Sequence, residues 1–217
     1  MKRSSGASEP QAEALSASQD RAIACLQAVL EDPVCRAHMN PSTVKGFLGE
    51  LLVRRLVVAA HEEVEHVGNQ ASVDLLLPRL GARLDVKCST LKTELGPGFH
   101  HWGWPLSKTS PGKKRGAGPT HLVCVGLDRH LALARLYVVH LNAVDRFPSA
   151  PPRFKRVDRA LVISARLGQD RSSLRADDLR LLKASERLVR DGTAMRVSAN
   201  GKALIKALAS GSTTPTR

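Results

Sequence analysis

Aromatic residues supply only 3% of the 217 positions, with two Trp, one Tyr and four Phe. Modules that read single-stranded nucleic acid through rows of stacked rings need more platforms than that. No apolar run approaches the ~18 residues of a membrane span, so a helical anchor and a membrane partner are excluded. Residues 1–20 lack the apolar centre of a signal peptide, and the expectation is a cytoplasmic protein. The four cysteines, Cys25, Cys35, Cys88 and Cys124, form no C-x-x-C pair. That argues against a zinc knuckle or a disulfide framework and predicts free thiols buried among apolar neighbours. Acidic charge is short as well: 20 Asp and Glu stand against 33 Lys and Arg, for a net +13.

What is present is a hydrophobic content of 42%, enough in a chain of this length for one domain with a real core. The excess charge is unevenly placed. Residues 1–101 carry 11 basic and 12 acidic side chains, whereas residues 102–217 carry 22 and 8, a net of −1 against +14. A polyanion such as nucleic acid is the natural partner of such a half, because each neutralised phosphate releases counterions. A generally alkaline, Arg-rich protein is the plainer alternative, and the ratio of 22 Arg to 11 Lys fits it too.

Residues 1–17 are rich in Ser, Ala, Glu and Gln and read as a flexible tail. Ala22, Cys25, Leu26, Val29 and Leu30 follow helical spacing until Pro33. Ser42 is a candidate cap for a second helix over 43–61, with Val44, Phe47, Leu48, Leu51, Leu52 and Leu56 as its apolar stripe. The period then changes. Residues 63–67, 73–77 and 82–89 read as strands, the last two joined by turn residues at 78–81. Residues 93–119 read as a long loop. Residues 120–127 and 134–140 are further strands, 141–147 a short helix, 160–165 a strand, and 176–190 an amphipathic helix. This order describes one α/β domain with a mixed sheet.

The hairpin around 78–81 carries the chemistry. A four-residue loop places 77 opposite 82 and 76 opposite 83, which brings Asp74 opposite Asp85, with Cβ atoms about 4.5–5.5 Å apart. Alternation sends Arg83, Asp85, Lys87 and Ser89 to one side and Leu84, Val86 and Cys88 to the other. Two carboxylates so placed repel unless a cation lies between them. Oxygens from two strands with a main-chain carbonyl suit a hard cation such as Mg²⁺. A lysine beside them can hold a water, and such a set is what phosphodiester hydrolysis requires. The plainer reading is a strand edge with an ordinary Asp–Lys ion pair.

Val73-Asp74, then Asp85-Val86-Lys87, preceded by Glu50 in Gly46-Phe47-Leu48-Gly49-Glu50, resembles the PD-(D/E)XK nuclease superfamily. The resemblance covers roughly residues 42–141, including the strand pair around Val123 and Tyr137. It implies a restriction-endonuclease-like fold, a mixed β-sheet flanked by helices, and Mg²⁺-dependent cleavage of DNA, with Mn²⁺ as a possible substitute. Carried over by position, Asp74, Asp85 and the Val86 carbonyl would be metal ligands. Lys87 would orient the attacking water, and Glu50 would serve a metal or its waters. Gly46 and Gly49 would permit close approach at the helix start. Two positions depart from the pattern: Val73 replaces the proline, and Asp85 is one methylene shorter than the Glu the motif often carries. Of the eleven lysines, only Lys87 has an acid two residues before it.

The resemblance implies a nuclease domain over residues 18–209, with its catalytic core at 42–141, a basic C-terminal part at 142–209 and a second flexible tail at 210–217. Its expected partner is double-stranded DNA, in restriction or DNA defence, with a homodimer suited to cutting two strands. The alternative is a non-catalytic DNA- or RNA-binding protein on the same fold. Lys108, Lys113, Lys114 and Arg115 lie among Gly and Pro in the long loop, and Arg153, Lys155 and Arg156, with Arg159, form a second basic cluster. Both are candidate phosphate contacts. Arg180, Lys183, Arg187 and Arg190 make a basic helical stripe.

Two further motifs have plainer readings. His61 and His66 stand five apart, so they share no helical face for zinc, and 61–66 reads as a solvated charged connection. Trp102 and Trp104 in His100-His101-Trp102-Gly103-Trp104 are core packing or, alternatively, a wedge against DNA, and either His could assist proton transfer.

Overall fold

The computed structural model describes residues 9–67, 73–105, 118–150 and 159–210. Its elements are α1 (Glu9–Glu31), α2 (Pro33–His38), α3 (Pro41–Ala59), β1 (Glu65–His66), β2 (Leu75–Leu77), β3 (Ala82–Thr90), β4 (His101–Pro105), β5 (His121–Leu127), β6 (Leu133–His140), β7 (Ala160–Ser164), α4 (Ala176–Arg190), β8 (Ala194–Val197) and α5 (Gly201–Ser210). The central sheet runs β1-β2-β3-β5-β6-β8. Its β3–β5 pairing is parallel and its other pairings are antiparallel, so the sheet is mixed, as expected. β4 and β7 form a separate antiparallel pair.

Strand alternation divides the core into two faces. On one, Leu84 and Val86 of β3, Val123 and Val125 of β5, and Leu136 and Val138 of β6 pack with Ile23 of α1, Leu48, Leu52 and Val53 of α3, and Leu204 of α5. On the other, Leu122, Cys124, Tyr137 and Val139 meet Trp102, Trp104, Leu161 and Ile163 of the small sheet and Leu188 of α4. The period of two along each strand thus produces a sheet flanked on both sides. No helix among the described residues is long and apolar enough to cross a membrane.

Several expectations move. α1 begins at Glu9 and takes in part of the stretch read as a tail. Pro33 opens a second helix rather than only ending the first, because the Asp32 carboxylate accepts from Cys35 N–H at 2.7 Å and proline suits the first turn. The cap of α3 is Asn40, not Ser42; it accepts from Ser42 N–H at 3.0 Å, with Pro41 following. β4 lies within the stretch read as a loop: it is five residues long and includes Gly103 and Pro105, both poor strand formers. β8 and α5 were not foreseen. At the start of α5, a Cβ on Gly201 would lie 2.0 Å from the Leu56 carbonyl oxygen, so α3 and α5 meet only over glycine. Of the cysteines, all free, Cys124 is buried, Cys25 is exposed, and Cys35 and Cys88 are intermediate.

Candidate active site

The β2–β3 hairpin has the expected register: Leu77 faces Ala82, Leu76 faces Arg83 and Leu75 faces Leu84. Gly81 closes its turn at φ +60°, a left-handed conformation that favours glycine. Asp85 and Lys87 project from one face of β3, and the lysine ammonium donates to Asp85 Oδ1. The Asp85 side chain is 7% exposed and that of Lys87 26%, so the pair is far drier than a strand-edge ion pair. Ser89, next on this face, accepts from Gly103 N–H of β4 at 3.3 Å.

Asp74 does not pair squarely with Asp85. β2 starts only at Leu75, and Asp74 N–H donates to the Leu84 carbonyl at 2.8 Å. The carboxylate turns along the strand end, where Oδ2 accepts from Val86 N–H at 2.7 Å. The Asp74 carbonyl accepts from Val67 N–H at 3.0 Å, so the residue is held at three points. Burial is the main cause of a carboxyl pKa pushed up to about 6; the charges of Asp85 and Glu50 add to the rise, against the Val86 N–H and Lys87.

Glu50 arrives from the helical layer. α3 lies so close to β3 at Gly49 that a Cβ there would stand 2.8 Å from the Cβ of Cys88. That contact sets the depth of the next residue. The expectation for Gly46 fails: a Cβ there would meet nothing within 4 Å. Glu50 Oε2 is hydrogen-bonded to His66 Nε2 of β1 at 2.9 Å. A carboxylate only accepts, so the ring nitrogen carries the proton. His66 had been read as part of a solvated connection. Its role was hidden because it depends on β1 pairing beside β2, with His66 opposite Leu75.

Asp74, Asp85 and Lys87 therefore lie together at the strand end, and Glu50 is near enough for its charge to raise the Asp74 pKa. Among the described residues, no three His, Cys, Asp or Glu side chains enclose a metal by themselves. The donors that fit a hard cation are Asp74 and Asp85 with the Val86 carbonyl, an all-oxygen set completed by water. Glu50, engaged by His66, suits a ligand water better than direct ligation. The raised pKa of Asp74 comes first from burial; the charges of Asp85 and Glu50 add to it, and Lys87 offsets part of it.

The remaining candidates divide. Trp102 and Trp104 are buried, and their indoles donate to the carbonyls of Leu127 at 2.7 Å and Val125 at 3.0 Å. They are core residues, and the wedge reading is withdrawn. His101 is buried and stacks on Phe99, while His100 N–H donates to the Gln169 side-chain oxygen at 2.7 Å. Lys108, Lys113, Lys114, Arg115, Arg153, Lys155 and Arg156 lie outside the described residues. Arg180, Lys183, Arg187 and Arg190 are exposed on α4, opposite its buried Leu181, Leu182 and Leu188.

No family model matches the chain. No curated protein matches it either. Among solved structures, the chain is similar to one described as a bacterial homing endonuclease, at 14% identity over 70% of this chain and 96% of that one, with a TM-score of 0.38.

Proposed function

We propose that the protein is a metal-dependent endonuclease that hydrolyses phosphodiester bonds in DNA. The observation that carries this reading is the part-buried Asp85–Lys87 pair beside Asp74 at a strand end, with Glu50 on α3 close enough for its charge to raise the Asp74 pKa. Asp74, Asp85 and the Val86 carbonyl would hold Mg²⁺, with Mn²⁺ as its substitute. When bound, the ion supplies Lewis-acid charge and a water of lowered pKa.

The chain's own residues supply the rest. Lys87 is anchored by Asp85, which aims its ammonium at the place where an attacking water and a phosphate oxygen would meet. There it stabilises charge that grows in the transition state. Asp74 is fixed by three main-chain hydrogen bonds and so keeps its place despite repulsion from its neighbours. The basic excess of residues 102–217 suits a duplex backbone. A restriction or DNA-defence role and a homodimer belong to the same proposal.

The test uses supercoiled and linear DNA with Mg²⁺ or EDTA. Wild type cuts only with metal, and Asp85→Ala and Lys87→Ala each lower cleavage at least about 100-fold. Tight binding without cutting, across several DNAs and metals, would instead identify a non-catalytic binder.

A further inference from the structure

The acidic cluster has a neighbour that no motif assigns. β1 is only two residues long, yet it braces the site twice. Val67 N–H, just past its end, donates to the Asp74 carbonyl at 3.0 Å, and His66 Nε2–H donates to Glu50 Oε2 at 2.9 Å. One short edge strand thus fixes the main chain of one acid and the side chain of another.

Glu50 needs such a partner. A glutamate has three side-chain torsions, and holding it in one geometry costs their freedom. Glu50 and His66 line a cavity of about 450 Å³ whose other walls include the apolar Ala22, Leu26, Phe47 and Leu51 and the cation Arg54. A hydrogen bond to a charged group is stronger than one between neutral groups. His66 is itself steadied by its strand, opposite Leu75.

We propose that His66 is a positioning residue: by binding one oxygen of Glu50 it directs the other toward the cation held by Asp74 and Asp85, or toward that cation's water. This rests on the metal-dependent reading above. Residues that orient a metal site's ligands typically govern metal affinity or activity by 10–100-fold.

The test is a double-mutant cycle read first without DNA. Mn²⁺ binding is measured by calorimetry for wild type, His66→Ala, His66→Gln, Glu50→Gln and the His66→Ala/Glu50→Gln double variant. His66→Ala should weaken Mn²⁺ binding about 10-fold or more. His66→Gln, whose amide N–H can donate to the same oxygen, should recover most of that loss. In the Glu50→Gln background, His66→Ala should cost less than about 2-fold, because its only route runs through the carboxylate. With DNA, His66→Ala should lower kcat while the DNA Kd in EDTA stays that of wild type.

A merely structural role would give the same loss in both backgrounds and no rescue by Gln, and that overturns the proposal. So does wild-type Mn²⁺ affinity in His66→Ala. Those outcomes leave the endonuclease reading standing. A wild type that neither binds Mn²⁺ nor cuts DNA overturns both.

Discussion

Replacing Asp74 by Asn should stabilise the metal-free protein at neutral pH while removing its metal binding. The folded carboxyl titrates at about 6 rather than at the ordinary 3.8, chiefly through burial and then through the charges of Asp85 and Glu50. Below 3.8 both folded and unfolded states hold the proton, and the acid behaves much like Asn. As pH rises from 3.8 to 6, the unfolded chain releases the proton while the folded chain keeps it, so stability falls; above 6 the loss is complete. A tenfold change in proton affinity is about 1.4 kcal/mol, which gives about 3 kcal/mol in full. Asp74 is only half-buried, and solvent screening reduces the figure to about 1–2 kcal/mol. Asn keeps an oxygen to accept from Val86 N–H, so that bond is not the variable. Urea unfolding in EDTA at pH 4, 5, 6, 7 and 8 reads the difference between the two proteins. His121, whose pKa is lowered to about 4 by burial and by His140, destabilises the fold over part of the same range as pH falls; it does so in both proteins and cancels. Asn should match wild type near pH 4 and exceed it by about 1–2 kcal/mol at pH 8. Millimolar Mg²⁺ should raise the wild type and leave Asp74→Asn unmoved. Equal stability at both ends of the range, or a variant weaker at pH 8, would refute the account of a charge-strained carboxylate.

Other expectations follow from packing. Gly49→Ala places a Cβ 2.8 Å from that of Cys88 and should destabilise by about 1–3 kcal/mol in denaturant unfolding. Gly46→Ala meets nothing within 4 Å in the same helix and should stabilise by up to about 1 kcal/mol. Equal effects would show that α3 does not depend on its approach to β3. Both indoles are buried, so DNA should leave the tryptophan emission maximum and its iodide quenching unchanged; a shift on binding would restore the wedge.

The hairpin was legible because its signals are local. Pro78 and Gly81 set the turn, and the strand period alone puts Asp85 and Lys87 on one face. The depth of α3 was legible in outline, since a glycine before Glu50 marks a close approach. The sequence pattern could not show where β2 stops. Carrying the ladder one step too far placed Asp74 squarely against Asp85, whereas its N–H goes to the Leu84 carbonyl. His66 was illegible for a different reason: its partner Glu50 lies on α3, and only the packing of that helix against the sheet brings the two together. β4 was obscured by its shortness and by Gly103 and Pro105, which read as breakers beside the two tryptophans.

The charge division gains meaning from these placements. The acids of the cluster, their lysine and His66 all belong to residues 1–101, the half with a net −1. Among the described residues, the groups that oppose the rise in the Asp74 pKa are Val86 N–H and Lys87, both of the first half. Part of the +14 of residues 102–217 is balanced within its own half, where Arg146 pairs with Asp191, Arg171 with Glu186 and Arg180 with Asp177. Lys183, Arg187 and Arg190 face solvent on α4. Among the described residues, the acids gather around Lys87 in one half, and the basic stripe of α4 in the other faces solvent. Under the proposed function, a phosphate backbone and a divalent ion complete what the chain leaves unbalanced.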